Sequence, residues 1–259
     1  MSHELSALSA IAYRDLLKFL RDPPRIIGTL VFPIIFVVLL GNSFGSAADF
    51  GYDFRTYVFT GVFAQTLFQS AALGIVSLIE DRENDFSQAI FIAPVSRYTV
   101  VMGKIIGESL VALAQGLVII ALGAVIGVSL TPERALGMLV AALIICPFGG
   151  VFGLITMAGI RSQRAVQQIF PFVFFPQYFL AGVFNPMSGL DPLFRDVISR
   201  LAPMRYAVDL VRGWFYQGTP EAALTVLDPP VVNLAVILGL TAAFLVVGTA
   251  LFVRKEQNR

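Results

Sequence analysis

The 259-residue sequence predicts an all-α membrane protein with six transmembrane helices. An amphipathic interface helix precedes them at residues 1–25, a short cytoplasmic helix joins spans two and three, and a pair of short outer or re-entrant helices comes before the last span. Three observations carry that prediction. Apolar residues make up 57% of the chain and charged residues 14%, against about half and about a quarter in soluble domains. Mean hydropathy is +0.80, and the chain holds 22 Gly, a residue commoner in spanning helices than in soluble ones. Six apolar stretches are each long enough, at about 1.5 Å per residue, to cross a hydrocarbon core of about 30 Å.

The interface helix comes first. At about 100° per residue, Leu5, Leu8, Ala12, Leu16, Phe19 and Leu20 fall on one side, while Arg14, Lys18, Arg21 and Arg25 fall opposite. The apolar side suits the acyl boundary and the basic side suits headgroups or a cytoplasmic partner. Both a surface anchor and a partner contact fit this helix. Pro23-Pro24 ends it and turns the chain into the first span.

The spans run from Ile26 to Phe44, Tyr57 to Ile79, Ile105 to Val128, Ala135 to Ile160, Gln167 to Phe184, and Val231 to Val253, so residues 26–259 form one membrane domain. The first reads as a retained span, because its apolar run exceeds a signal h-region and about 25 residues precede it. Orientation follows from the basic residues, which are held on the cytoplasmic side. One set of flanks carries Arg14, Lys18, Arg21, Arg25, Arg82, Arg97, Lys104, Arg161, Arg164, Arg254, Lys255 and Arg259. The other carries half as many: Arg55, Arg134, Arg195, Arg200, Arg205 and Arg212. Both termini are therefore expected in the cytoplasm of a multi-pass plasma-membrane protein.

Between spans two and three, Glu80, Asp81, Glu83 and Asp85 favour the positive N-terminus of a short helix, along which Phe86, Ala89, Ile90 and Ala93 line one face. Pro94 stops it, and Ser96 can cap the next helix, which passes through Lys104 into span three. A short striped helix with no domain of its own to pack on fits docking onto another protein; a solvated loop dipping into the interface is the alternative. After span five, Asp191-Pro192 starts one helix with Leu193, Phe194, Val197, Ile198 and Leu201 as its stripe. Pro203 starts a second, where Arg205, Asp209 and Arg212 can pair along one face while Met204, Val208, Val211 and Phe215 cover another. This pair either re-enters the membrane or lies on its outer surface.

Several function classes drop out. A net charge of +1 provides no basic field for nucleic acid. One Cys (Cys146) and one His (His3) exclude an internal disulfide and argue against a His-based zinc site. No Gly-x-Ser-x-Gly, His-Glu-x-x-His, intramembrane carboxylate pair or Walker phosphate loop occurs, so no catalytic, metal or cofactor site is assigned to this chain. What remains is a set of polar residues in the spans: Gln65, Gln69 and Ser70, then Glu108 and Gln115, then Gln177 and Tyr178. Such groups either hydrogen-bond between helices or line a pathway. Glu108 lies one turn from Lys104 and can pair with it. Gly103/Gly107, Gly123/Gly127 and Gly149/Gly153 carry the spacing that allows close helix approach, within the chain or between copies. Pro171 and Pro176 predict a kinked fifth span with an aromatic surface of Phe170, Phe172, Phe174, Phe175 and Phe179, facing lipid or an apolar substrate.

Taken together, this layout resembles the permeases of ABC type-2 exporters across the whole chain. The local match is Leu180-Ala181-Gly182-Val183-Phe184-Asn185-Pro186, then Leu190 and Pro192, then Ala202-Pro203, Tyr206, Asp209 and Arg212, which looks like the family's tract after the fifth span. Asn84-Asp85 departs from it, standing where many members carry Gly-Thr. The resemblance implies a homodimer or heterodimer in a bacterial inner membrane, each half recruiting a cytoplasmic ATPase that uses ATP and magnesium. It implies that Asp81 to Pro94 is a coupling helix, with Asp81, Glu83, Asp85, Phe86, Ile90, Pro94 and Arg97 as contacts and with Arg14, Lys18 and Arg21 of the interface helix beside it. It implies a pathway at the dimer interface of spans two and five, for which Gln65, Gln69, Phe174, Gln177 and Tyr178 are the candidates. Cargoes of the family are drugs, antibiotics, lipid-linked glycans and other amphipathic molecules, and the compact loops are similar to those of the drug-resistance branch. Two other classes compete. A channel or secondary transporter would show mid-membrane charges or an inverted repeat, and a membrane anchor or scaffold needs no pathway at all.

Overall fold

A computed structural model describes residues 2–45, 50–79, 96–158, 160, 162–187 and 189–257. The described residues are helical, without strands. They form α1 (Ser2–Leu20), α2 (Pro23–Gly45), α3 (Phe54–Gly74), α4 (Arg97–Val125), α5 (Pro132–Met157), α6 (Gln163–Leu180), α7 (Pro192–Asp196), a 3-10 turn (Ile198–Leu201), α8 (Pro203–Phe215), α9 (Ala222–Thr225) and α10 (Pro230–Gln257).

Local side chains set the helix starts by accepting the N–H groups that a first turn leaves unbonded. Asp53 accepts from Arg55 N and Thr56 N before α3, and Ser96 accepts from Thr99 N at 3.1 Å before α4. Thr131 and Ser162 do the same for α5 and α6. Asp191 accepts from Leu193 N at 2.8 Å, with Pro192 at the first helical position as expected.

Among the described residues, five helical stretches are long and apolar enough to cross a membrane: Pro23–Gly41, Phe54–Ile79, Arg97–Val125, Pro132–Met157 and Ala222–Leu251. They overlap five of the six predicted spans. The remaining one, Gln167 to Phe184, corresponds to α6, which has 18 residues and spends its first two turns on Gln163, Arg164, Gln167 and Gln168. That polar opening leaves its apolar portion shorter than the others.

At the centre stands α3, where Val58, Val62, Phe63, Ala64, Leu67, Phe68 and Ala71 are fully enclosed by α2, α4, α5 and α8. α2 and α10 lie at the periphery, with most of their apolar residues unburied. The Gly spacings are consumed inside this bundle. A Cβ on Gly149 would overlap the Phe68 carbonyl and one on Gly153 the Ala72 carbonyl, so these glycines let α5 lie directly on the α3 backbone. Gly123 accommodates the Phe59 ring, and Gly103 and Gly107 face Ile11 and Ala12 of α1. These residues serve helix contacts within the chain.

Candidate functional site

Three polar centres stand out from the apolar packing. The first joins α1 to α4. Leu8, Ile11, Ala12 and Asp15 face α4 and Phe19 is buried, while Leu5, Tyr13 and Leu20 are exposed. Part of the apolar side of α1, around Ala12, thus packs on α4, where Gly103 and Gly107 lack the side chains that would keep the two helices apart, while Leu5 and Leu20 of the same side stay exposed. Lys18 and Arg21 remain exposed, and Arg14 pairs with Asp15 at 3.0 Å. Asp15 in turn meets Lys104 Nζ at 3.1 Å, with both residues buried. Lys104 also donates to Ser77 Oγ at 2.9 Å, and Ser77 approaches Glu108 Oε1 at 3.4 Å. Glu108 therefore joins Lys104 through Ser77 in a wider group than the simple one-turn pair.

At the far end of α1, Glu4 accepts from Ser96 N at 3.1 Å and from Thr99 Oγ1, so it helps cap α4. The Thr99 hydroxyl, with the Ser96 N–H, holds the Glu4 carboxyl below its ordinary range. Arg97 sits in the first turn of α4 beside this cap and is half-buried. The other residues expected to contact an ATPase, Asp81, Glu83, Asp85, Phe86, Ile90 and Pro94, lie outside the described residues.

The second centre is a seam between α3 and α6. Gln65 donates to Gln69 at 2.7 Å, and Tyr178 donates to the same Gln69 oxygen at 2.7 Å. Three candidate pathway residues thus form one hydrogen-bonded chain. Phe174 is enclosed among Phe68, Phe152 and Phe170, so it is an aromatic core residue in this chain. Gln177 turns away from the seam and accepts the Met204 N–H at 3.2 Å, at the start of α8. α6 carries both prolines and splits its aromatics: Phe170 and Phe174 point inward, whereas Phe172, Phe175 and Phe179 are exposed in a stripe with Ile169.

The third centre is α8. Every residue from Met204 to Gly213 is buried, and the helix is inserted among α3, α5, α6 and α10. It does not lie on a surface. The pairing of Arg205, Asp209 and Arg212 along its face that the sequence predicts does not form: Arg205 and Asp209 both reach residues 227–233, and Arg212 reaches the turn after α6 and α3. Arg205 pairs with Asp228 at 2.8 Å. Asp209 accepts from Leu227 N, Asp228 N and Asn233 Nδ2. Arg212 donates to the carbonyls of Gly182 at 2.8 Å and Tyr57 at 3.3 Å. Full burial explains the change, since each charge then takes whichever fixed dipole or countercharge the surrounding helices present. Nothing in the sequence marked Asp228 or Asn233 as partners: Asp228 lies in the connection before α10 and Asn233 in the first turn of α10, and only the packing brings both against α8.

Comparison with known proteins places this architecture. A family model described as ABC-2 type transporter matches residues 6–216, from α1 through the end of α8. The chain belongs to the ABC-2 type transporter family. It is also 21% identical over 214 residues to "Putative transport permease ycf38" of Cyanophora paradoxa, covering 80% of this chain and 73% of that protein.

As an ABC-2 family member, the chain is a membrane permease component of an ABC transporter and a multi-pass membrane protein. The matched region takes in the α3–α6 seam, the Asp15–Lys104 pair of the α1–α4 clamp and α8 itself, while Glu4, Asp228 and Asn233 fall outside it. The tract that carries the resemblance has a structural account too. Gly182 adopts φ +65 in the turn after α6 and offers its carbonyl to Arg212, while Asn185 offers its carbonyl to Tyr57 Oη at 3.0 Å.

Proposed function

We propose that this chain is the permease subunit of an ATP-driven exporter that moves an amphipathic or hydrophobic molecule, such as a drug, lipid or lipid-linked glycan, out of the cytoplasm or inner leaflet. ATP and magnesium are bound by a separate cytoplasmic ATPase, and a second permease copy completes the transporter. In this reading α6 is the fifth of six spans, both termini are cytoplasmic, and the membrane is a bacterial inner membrane.

The observation that supports it best is the clamped interface helix. α1 holds Lys18 and Arg21 outward while Asp15 and Glu4 tie it to the start of α4, directly after residues 80–95. An amphipathic helix that only anchored to lipid would keep its whole apolar side for the membrane; this one buries Ala12 and Phe19 of that side in the bundle and leaves Leu5 and Leu20 exposed. The arrangement suits a platform for a docked protein, with Asp81 to Pro94 as the inserted element. The Gln65–Gln69–Tyr178 seam and the exposed stripe of α6 would then meet the second copy and line the pathway between them.

The test is recovery of the tagged chain in mild detergent, with mass spectrometry of what remains bound. An ATPase subunit should accompany it, and Phe86→Asp or Ile90→Asp should abolish that recovery while leaving the permease folded. Normal recruitment by both variants would sink the coupling assignment, and failure of the unaltered chain to retain an ATPase under several gentle conditions would favour a scaffold or channel.

A further inference from the structure

The buried ionic group at the cytoplasmic end coincides with an irregularity in the backbone. α3 ends at Gly74, Ile75 and Val76 form a turn, and Ser77 to Ile79 resume a helical course. Across it, Val76 N bonds Leu73 O, Leu78 N bonds Ile75 O, and Ile79 N bonds Val76 O. These bonds span three residues instead of four, so the helix is locally wound tighter, a feature that recurs at hinges. Ser77 Oγ donates to the Gly74 carbonyl at 2.5 Å, a back-bond that bends helices. Ile79 is the last described residue before 80–95.

Everything around this turn is fitted to it. A Cβ on Gly74 would overlap the Glu108 carboxylate, so Glu108 lies flat on the α3 backbone. Glu108 Oε1 is 3.4 Å from Ser77 Oγ. Lys104 Nζ donates to Ser77 at 2.9 Å and to Asp15 at 3.2 Å, and Asp15, Lys104 and Glu108 are all buried. One side chain thus touches α1, belongs to α4 and holds the turn after α3. Stability alone gives little reason for such a group, since replacing buried ion pairs by apolar residues of similar size is often neutral or favourable. What charges supply and apolar contacts do not is one defined geometry for three helices at a bendable point.

We infer that Lys104 is a positioning residue for transport: it fixes the joint between α1, α4 and the turn at Ile75–Val76, so that movement at the cytoplasmic face is passed to α3 instead of being absorbed there. This rests on the proposed transporter reading. Lys104 touches neither ATP nor cargo in this role.

The experiment follows amide hydrogen exchange in the permease–ATPase complex, with and without ATP, magnesium and vanadate. In the unaltered complex nucleotide should change exchange both near the cytoplasmic face, at residues 96–107, and at the far end of α3, at residues 54–60. In Lys104→Met the near change should persist, while the far change falls by about fivefold or more, the lower end of coupling between distant sites. Ser77→Ala, a small change that leaves the Asp15–Lys104 pair in place, should show the same split with a smaller loss, and Lys104→Arg should restore transmission. Recruitment of the ATPase should be unchanged in all three. A far change of full size in both Lys104→Met and Ser77→Ala overturns the inference while leaving the transporter reading intact. An unaltered chain that binds no ATPase removes that reading and the inference with it.

Discussion

The guanidinium carbon of Arg212 lies 3.6 Å from the centroid of the Tyr57 ring, 155 residues away in sequence. Arg212 is 1% exposed, and among the described residues no carboxylate pairs with it directly. Its charge is held by a ring face and two carbonyls, those of Gly182 and Tyr57, which between them belong to the turn after α6 and to α3. A planar, delocalised cation suits this setting, because it stacks and donates at once and is less strongly hydrated than an ammonium.

Replacing it tests that account. Arg212→Lys keeps the charge and loses the stacked plane, and should cost about 2 kcal/mol, the size of a desolvated cation–π contact. For a domain of this length that corresponds to a fall of roughly 5 °C in unfolding temperature. Thermal unfolding in detergent reads it directly, and an unchanged midpoint would show that the ring contributes little.

The helical plan was legible because it depends on local signals. Five of the six predicted spans overlap helices long and apolar enough to cross a membrane, Ser96 caps α4, and Asp191-Pro192 opens α7, since capping and proline placement act within one turn. α8 was not legible to the same degree. Its charges read as pairing with one another along one face at i, i+4 and i+7, yet the tertiary structure surrounds it on all sides and gives Arg205, Asp209 and Arg212 partners in other elements. The same holds for α1: its two faces were clear, but only the bundle shows that part of the apolar one is used by α4 while Leu5 and Leu20 stay exposed. The polar pathway candidates divided in similar fashion, Gln65, Gln69 and Tyr178 meeting in one seam while Gln177 serves α8.

The glycines of α5 give a sharp contrast. Gly153 lies against the Ala72 carbonyl, whereas a Cβ on Gly239 of α10 would meet nothing within 4 Å. Gly153→Ala should therefore force α5 from α3 and destabilise by about 1–3 kcal/mol, as overpacking does. Gly239→Ala should be neutral or mildly stabilising, since Ala is the better helix former by up to about 1 kcal/mol. Were Gly149 and Gly153 instead a contact between copies, the Ala variant would alter the oligomeric state by native mass spectrometry and leave the melting of the monomer unchanged.

Glu4 predicts a pH dependence for the clamp. Its carboxyl is held below the ordinary value of 4.5, chiefly by the Thr99 hydroxyl, so the charged form is the one that binds. A folded-state value below the unfolded one means that the contribution is complete above the unfolded value and is lost as pH falls through the folded one. A spin label on Leu5→Cys, an exposed position, should stay ordered at neutral pH and become mobile only below about pH 4.5. In Glu4→Gln the label should be mobile across the whole range. Order retained by Glu4→Gln at neutral pH would mean that Asp15 and the helix contact hold this end without the cap.

Asp209 organises a second charge that it does not touch. Its two oxygens accept from Leu227 N at 2.8 Å, Asp228 N at 2.8 Å and Asn233 Nδ2 at 2.7 Å, and the segment so fixed presents Asp228 to Arg205 at 2.8 Å. Asp209→Asn preserves shape but turns an N–H toward a buried N–H, leaving donors without acceptors at about 1–3 kcal/mol each. Once the segment loosens, Arg205 loses its partner as well. Arg205→Met should therefore cost less in the Asp209→Asn background than in the unaltered chain, with a coupling of about 0.5–3 kcal/mol in a double-mutant cycle followed by thermal unfolding. Strict additivity would separate the two contacts and show that Asp228 is placed by the backbone of residues 226–230 rather than by Asp209.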